Sequence, residues 1–264
     1  MPTVCLNEIF RQAAQSLIVE NAHHIISGEP LKKGGKTDDF FFLESDGDAA
    51  QKLVCDLVTT RLPRSYQFDP VKDIQVLCPT KLGPTGTQAL NVELQALLNP
   101  PQKGRPELQS AARVFRVGDK VMQTKNNAKA SNGDIGYIRK MGRNAKNEMV
   151  VTIEFSGDRI AEYGMEEMGH MELAYATTVH KAMGSEFDIV IMPILRSHYI
   201  MLNRNIVYTA ITRAKEQVIP VGQKKALIMA ILKKATGKRN TQLGERIGKY
   251  LKAFTRQNEL KKVS

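Results

Sequence analysis

One segment constrains the fold more than any other. Phe187-Asp188-Ile189-Val190-Ile191-Met192-Pro193-Ile194 is a nearly continuous apolar run. A strand with apolar side chains on both faces must be covered on both, the condition of a parallel sheet flanked by helices. Ile74-Gln75-Val76-Leu77-Cys78, stopped by Pro79, reads as another such strand, Phe40 to Glu44 as a short buried one, and Gln217 to Val221 as the last. Pro220 cannot donate to a ladder, so its run is expected at a sheet edge, or the proline at a strand end. Helical spacing covers Leu6 to Ile26, closed by Gly28-Glu29-Pro30. It returns in a helix capped by Asp48 with the stripe Ala50, Leu53, Val54, Leu57 and Val58. Thr85 to Leu98, Asn203 to Lys215 and Lys224 to Lys234 follow, and Thr241 to Phe254 is a further candidate. The expected class is α/β.

After about residue 105 the texture changes. Gly118-Asp119, Asn132-Gly133-Asp134 and Ser156-Gly157-Asp158 are turn signals. Between them lie short β-type runs, Lys120 to Gln123, Ile135 to Arg139 and Met149 to Phe155. Several short strands at this spacing predict a small barrel. Helix-and-strand texture resumes at Leu173, so residues 108–171 are expected as an insertion into a discontinuous α/β domain, 1–107 plus 172–235. Residues 236–264 then form a tail.

The charge is unevenly distributed. The formal net charge is +11, yet residues 223–264 carry twelve Lys/Arg against two acids, while residues 1–222 carry 26 against 25. A basic segment attracts phosphate backbones through counterion release; the plainer reading is a solvated helix face. No apolar run approaches the roughly 20 residues of a membrane-crossing helix, and Met1 to Cys5 has no signal-peptide pattern. Cys5, Cys55 and Cys78 are widely spaced, as expected of reduced thiols in a cytoplasmic protein. The histidines do not join them at zinc-site spacing, so no metal ligands are expected.

Three segments could carry chemistry. Lys33-Gly34-Gly35-Lys36-Thr37 ends like a phosphate-binding loop, but the position needing the first glycine is Pro30. A helix precedes it and a strand follows, the reverse of the strand–loop–helix that presents N–H groups to phosphates. Asn205 to Lys215 has Ile206, Ala210 and Ala214 at helical spacing and Arg213 near its end; an arginine there can cap terminal carbonyls. Tyr175 to Glu186 gathers hydroxyls, His180, Lys181 and Gly184 in a loop beside the buried strand. Loops at strand boundaries of such sheets commonly bind ligands.

Taken in order, these segments resemble a known family. Leu6-Asn7-Glu8-Ile9-Phe10-Arg11-Gln12-Ala13 resembles helicase motif IV, the stretch around Thr178-Val179-His180-Lys181 resembles motif V, and Tyr208-Thr209-Ala210-Ile211-Thr212-Arg213-Ala214-Lys215 resembles motif VI. Asp73 to Pro79, Val117 to Gln123 and Asn132 to Gly136 are similar to the RecD branch of superfamily 1 ATP-dependent DNA helicases, the exodeoxyribonuclease V alpha subunit family. The resemblance implies a RecA-like second motor domain with no P-loop and an inserted small Src-homology-like β-barrel. It implies that Arg11 and Arg213 reach the γ-phosphate of ATP, with Gln12, Gly184 and Glu186 at the nucleotide. It places Thr80, Lys81, Thr178, His180, Lys181 and Asn132 along single-stranded DNA. ATP and magnesium would be held mainly by an N-terminal RecA-like motor domain, on the same polypeptide or a partner, and exonuclease-complex subunits are further implied partners. The chain by itself is expected to lack ATPase activity. Where the family carries Ser-Gln, Ala182-Met183 stand here, which would remove two polar groups from a DNA-facing loop. The alternatives are a non-catalytic nucleic-acid-binding module or a decayed helicase remnant.

Overall fold

A computed structural model describes residues 16–35, 38–233, 242, 244–251 and 254. Residues 1–234 make one compact unit and 235–264 a second.

The first unit is built on a five-stranded parallel sheet of order β1-β12-β11-β2-β10. These strands are Leu43–Glu44 (β1), Ile74–Cys78 (β2), Ala176–Thr178 (β10), Phe187–Ile194 (β11) and Ala214–Gly222 (β12). The apolar run of β11 divides by parity. Ile189 and Ile191 join one cluster with Ala50, Val54, Leu90 and Leu94. Val190, Met192 and Ile194 join the other with Ile18, Ala22, Ile206 and Leu227. The helices Gly47–Asp56 (α2) and Thr87–Leu98 (α4) therefore cover one face, and Leu17–Ser27 (α1), Arg204–Ile211 (α6) and Lys224–Leu232 (α7) the other. Between α2 and α4, a π-helical stretch, Leu57–Arg61, runs into the short helix α3, Leu62–Tyr66.

Between α4 and β10 the chain builds antiparallel structure. A hairpin pairs Glu107–Ser110 (β3) with Arg113–Arg116 (β4). A five-stranded sheet of order β8-β7-β6-β5-β9 follows, comprising Lys120–Gln123 (β5), Ile135–Arg143 (β6), Met149–Phe155 (β7), Arg159–Gly164 (β8) and Met171–Leu173 (β9), with the short helix Met165–Met168 (α5) before β9. The register slips between Ile138 and Lys140, a bulge of the kind that bends small β-domains. Val121, Ile138, Val151, Ile153, Phe155 and Tyr163 fill it and continue the α2/α4 cluster.

Several expectations shift. The helix read as Asn203 to Lys215 stops at Ile211, because the Thr212 hydroxyl donates back to the carbonyls of Tyr208 (2.9 Å) and Thr209 (3.2 Å) and β12 begins at Ala214. Its N-cap is Asn203, whose side chain accepts from Ile206 N–H at 3.1 Å. Pro220 lies near the end of β12, but that strand is flanked on both sides rather than lying at the sheet edge. Val218 exchanges bonds with Asp39 and Phe41, so by strand parity Pro220 also faces β1. Pairing there lapses between the Phe40 bridge and Leu43, so no ladder bond is lost. For the same reason the strand read as Phe40 to Glu44 shrinks to Leu43–Glu44. Asp46, not Asp48, caps α2, and α4 starts at Thr87 rather than Thr85. The described part of the first helix begins at its cap Ser16, whose side chain accepts from Val19 N–H at 3.4 Å, and ends on left-handed Gly28 (φ 80°). In the second unit residues 244–251 are helical, within the stretch read as Thr241 to Phe254.

Candidate functional site

The loop after β10 runs from the carboxyl edge of the sheet to the amino edge, where the central strand β11 begins. Lys181 and Ala182 N–H both donate to the Thr178 carbonyl (2.9 and 3.2 Å), and Ser185 N–H donates to Ala182 (3.1 Å). This turn buries Val179 and Ala182 and exposes His180, Met183, Gly184 and Glu186. Ala182 therefore faces the apolar core with Val179 and Phe187, so only Met183 of the Ala182-Met183 pair lies on the exposed face, contrary to the expectation that both replace polar groups there. Gly184 has φ 93°, a left-handed backbone that glycine adopts without strain.

At the far end of the loop stands Arg213. Its carbonyl accepts from Phe187 N–H (2.9 Å) and its Nη1 donates to the Ser185 carbonyl (3.3 Å). Its Nε is buried with no hydrogen-bond partner among the described residues. The arginine is thus fixed beside Gly184, Ser185 and Glu186 with donor capacity unspent, and it does not cap a helix. Next to it, Lys215 pairs with Asp188 at 3.0 Å.

A cleft of about 410 Å³ opens here. Gly184 to Asp188 form one wall, Gly133 to Ile135 with Arg159 the other, and Lys72, Lys120 and Tyr137 also line it. Lys120 is 1% exposed, its Nζ 3.2 Å from the Ile74 carbonyl and 5.7 Å from the Phe187 ring centroid. Burial lowers its pKa to about 8, against the opposing pull of Asp69 and Asp73. Burial, reinforced by the same two acids, pushes the Tyr137 phenol up to about 12.

At the near end the parallel pairing of β10 with β2 puts Thr178 opposite Cys78. Thr178 to Lys181 and Thr80 to Lys81 therefore emerge side by side at the carboxyl edge of the sheet, where open α/β folds bind ligands. Lys81, Thr178 and Lys181 line a common notch. Asn132 N–H donates to Asn126 Oδ1 (2.6 Å), and a Cβ on Gly133 would lie 3.4 Å from the Lys181 carbonyl, so this turn of the inserted sheet abuts the loop. The structure gathers Thr80, Lys81, Thr178, Lys181 and Asn132 along one side and Gly184, Glu186 and Arg213 along the other; His180 is exposed in the turn between Thr178 and Lys181. Arg11 and Gln12 lie outside the described residues.

Other residues carry no signal as sites in the sequence. Asp119, read as part of a turn, is fully buried and accepts from Gln95 (2.6 Å), Asn99 (2.7 Å), Arg116 N–H (2.7 Å) and Tyr175 (2.8 Å). Burial raises its pKa despite these bonds. It ties α4, β4 and the approach to β10 together. Of the phosphate-loop mimic, Gly34 is packed so that a Cβ would strike the Phe40 carbonyl and Gly35 N–H donates to Asp38; Lys36 and Thr37 are outside the described residues. The described residues of the mimic sit between α1 and β1, and no described helix begins there to present its N-terminus to phosphates. Cys55 and Cys78 are free and buried. Among the described residues no cluster of three or more His, Cys, Asp or Glu could hold a metal, and no helix is long and apolar enough to cross a membrane.

Residues 90–155 match the family of ATP-dependent RecD-like DNA helicase SH3 domains, and residues 173–221 the UvrD-like helicase C-terminal domain. The ATP-dependent RecD2 DNA helicase of Deinococcus radiodurans is 36% identical over 248 residues, covering 93% of this chain and 32% of that protein. The RecBCD enzyme subunit RecD of Buchnera aphidicola is 23% identical over 74% of this chain and 34% of its own length. The chain thus spans about a third of each of these relatives. Among solved structures, Pif1 helicase from Candida albicans aligns with a TM-score of 0.51 at 14% identity, over 89% of this chain and 59% of that one. Bacteroides Pif1 in complex with ADP-AlF3 and single-stranded DNA aligns at 0.50 and 15%, over 94% and 56%. At such identities the likeness speaks for the fold alone, an α/β domain. With both domain matches in chain order and the RecD2 match along nearly the whole chain, this chain is similar to the C-terminal part of RecD-like superfamily 1 DNA helicases.

Proposed function

We propose that this chain is the second motor domain of an ATP-dependent DNA helicase, with residues 108–171 an inserted β-domain in a RecA-like domain formed by 1–107 and 172–235. Arg213, together with Arg11, reaches the γ-phosphate of an ATP held on an N-terminal RecA-like domain, while Gln12, Gly184 and Glu186 border the nucleotide. Thr80, Lys81, Asn132, Thr178, His180 and Lys181 line the path of single-stranded DNA.

The observation that carries this reading is Arg213 itself. Its backbone is pinned to the start of β11, and its guanidinium keeps a buried Nε with no hydrogen-bond partner among the described residues, while Nη1 holds the Ser185 carbonyl. A fixed fork with spare donors suits a phosphate whose charge grows during transfer. In this reading ATP and its magnesium are held mainly by the complementary domain. The loop from Thr178 to Glu186 spans both edges of the sheet and would couple the DNA side to the nucleotide side. The names of the relatives, ATP-dependent DNA helicase and RecBCD subunit, favour the same substrates and suggest exonuclease-complex subunits as partners.

The test is ATP turnover. The chain alone should show none above background. In a complete helicase containing this segment, Arg213→Ala should lower DNA-stimulated kcat by roughly 10³–10⁵, the usual worth of such an arginine. Robust turnover by the chain alone, or an unchanged kcat in the variant, refutes the assignment.

A second reading, a nucleic-acid-binding module without catalysis, is favoured by the eight Lys/Arg against two acids in residues 236–264. Removing everything from residue 223 would strip away α7, whose Ala226, Leu227, Ala230 and Ile231 are core residues, so the informative truncation removes only 236–264. If it abolishes DNA binding while changes at Thr178 and Lys181 are silent, the module reading is preferred.

A further inference from the structure

Three cations converge on one carboxylate at the carboxyl edge of the sheet. Lys181 Nζ lies 2.5 Å from Glu172 Oε2, and Arg113 Nη2 lies 3.6 Å from Glu172 Oε1. Arg113 is itself braced by a bond from Nη1 to the Met171 carbonyl (2.8 Å). Burial would push the Glu172 carboxyl up, but the Lys181 bond and charge, with the fields of Lys81 and Arg113, hold it below its usual value. The cations come from three elements, β4, the loop after β2 and the loop after β10, while the acid comes from β9. A notch of about 20 Å³ lies among Lys81, Thr178, Lys181 and Glu172, room for a single oxygen-sized group. Thr87, the first residue of α4, also lines it; its N–H and that of Gln88 donate to the Thr80 and Lys81 carbonyls (3.2 and 3.1 Å), which fixes the loop carrying Lys81 against the helix.

We propose that Lys181, Arg113 and Lys81 form a seat for one backbone phosphate of single-stranded nucleic acid, and that Glu172 occupies this seat in the free chain as a built-in competitor displaced by the incoming phosphate. This rests on the reading of the carboxyl edge as a nucleic-acid path and adds to it Arg113, Glu172 and the exchange between them. The chemistry favours exchange. The carboxylate and the lysine are partly exposed, 33% and 23%, so the pair can open without stranding a buried charge. A phosphodiester offers the same single negative charge with more acceptor oxygens to share among three cations. Carrying its own anion, the seat binds weakly enough to release, as a domain that steps along a strand requires.

The experiment measures fluorescence anisotropy of a labelled oligo-dT on the full chain across a salt series, for the wild type, Glu172→Gln and Glu172→Asp. Glu172→Gln keeps the shape and removes the competing charge. It should tighten Kd by up to about fivefold at 0.1 M salt, the worth of a partly exposed ion pair that no longer has to be broken, and steepen the fall of log K with log salt, because that gain is screened away as salt rises. Glu172→Asp, too short to hold Lys181 at the same distance, should shift both readings the same way by less. Unchanged affinity and slope in both variants, with ordinary wild-type binding, would show a mere bolt between loop and sheet; this overturns the competitor while leaving the nucleic-acid path intact. Weaker binding in Glu172→Gln would make Glu172 a positioning residue for Lys181 and also overturn it. Absence of oligo-dT binding by all three proteins would reject the nucleic-acid path itself, and the seat with it.

Discussion

Lys120→Met separates a buried lysine that is strained by its charge from one that is merely enclosed. Lys120 is 1% exposed and its pKa falls from 10.5 to about 8. The unfolded chain keeps the ordinary value, so between these two pH values the unfolded state binds more protons than the folded one. Stability contributed by this side chain therefore rises as pH climbs from about 8 to 10.5. The difference is about 2.5 units, and at about 1.4 kcal/mol per unit the gain approaches 3 kcal/mol. Below pH 8 the folded protein carries a buried ammonium whose carbonyl bond, neighbouring ring and fields of Asp69 and Asp73 do not make up for lost hydration. Methionine matches the volume without the charge, so Lys120→Met should be equal to or more stable than the wild type at pH 7. Urea unfolding of both proteins at half-unit steps from pH 7 to 10.5 measures this; subtracting the two curves cancels the other lysines. The wild type should gain on the variant by up to about 3 kcal/mol across that window. A difference that stays flat with pH, or that narrows in the opposite sense, refutes the claim that burial destabilises the charged form.

Other outcomes follow from named contacts. Asp119→Ala orphans four donors around a fully buried site; with one water taking up part of the loss, urea unfolding should show a cost of about 4 kcal/mol, at about 1–3 per stranded group. Gly222→Ala should cost about 1–3 kcal/mol in the same assay, because Gly222 sits at φ 143° and a Cβ there would overlap the Ile194 carbonyl. Met183→Gln should tighten oligonucleotide binding modestly, whereas Ala182→Ser should leave it unchanged and cost about 1 kcal/mol of stability by burying a hydroxyl, since Ala182 is 0% exposed and Met183 67%; equal effects on binding would contradict the geometry of the loop.

Local pattern sufficed where one interaction dominates. The double-faced apolar run of β11 could be satisfied only inside a helix-covered sheet, so the α/β class followed from residues 187–194 alone. The alternation of Met149, Val151, Ile153 and Phe155 likewise specified a half-buried strand, and β7 is observed there. Element ends were less legible, because they depend on single competing bonds. Helical spacing runs through Ala214, yet the Thr212 hydroxyl bonds and the pairing of Ala214 with Phe187 end α6 early. Arg213 was visible as a motif residue, but its setting was not: spacing alone suggested a capping arginine at a helix end.

What the sequence determined by itself was therefore the class of fold, the order of the motifs and the family they resemble. These depend on which residues are present and on periodicities shorter than a helical turn or two. Tertiary structure alone decided which charges meet. Asp119 and Lys120 are neighbours in a segment that reads as a turn and a strand, and both are fully buried with partners 24 to 56 residues away in Gln95, Ile74 and Tyr175. Lys81, Arg113, Glu172 and Lys181 span a hundred residues of sequence and share one corner of the sheet. A charge's cost and role depend on the water and counter-charges around it. Those are set by strand order and by where the inserted sheet comes to rest, and neither is written in any local run of residues.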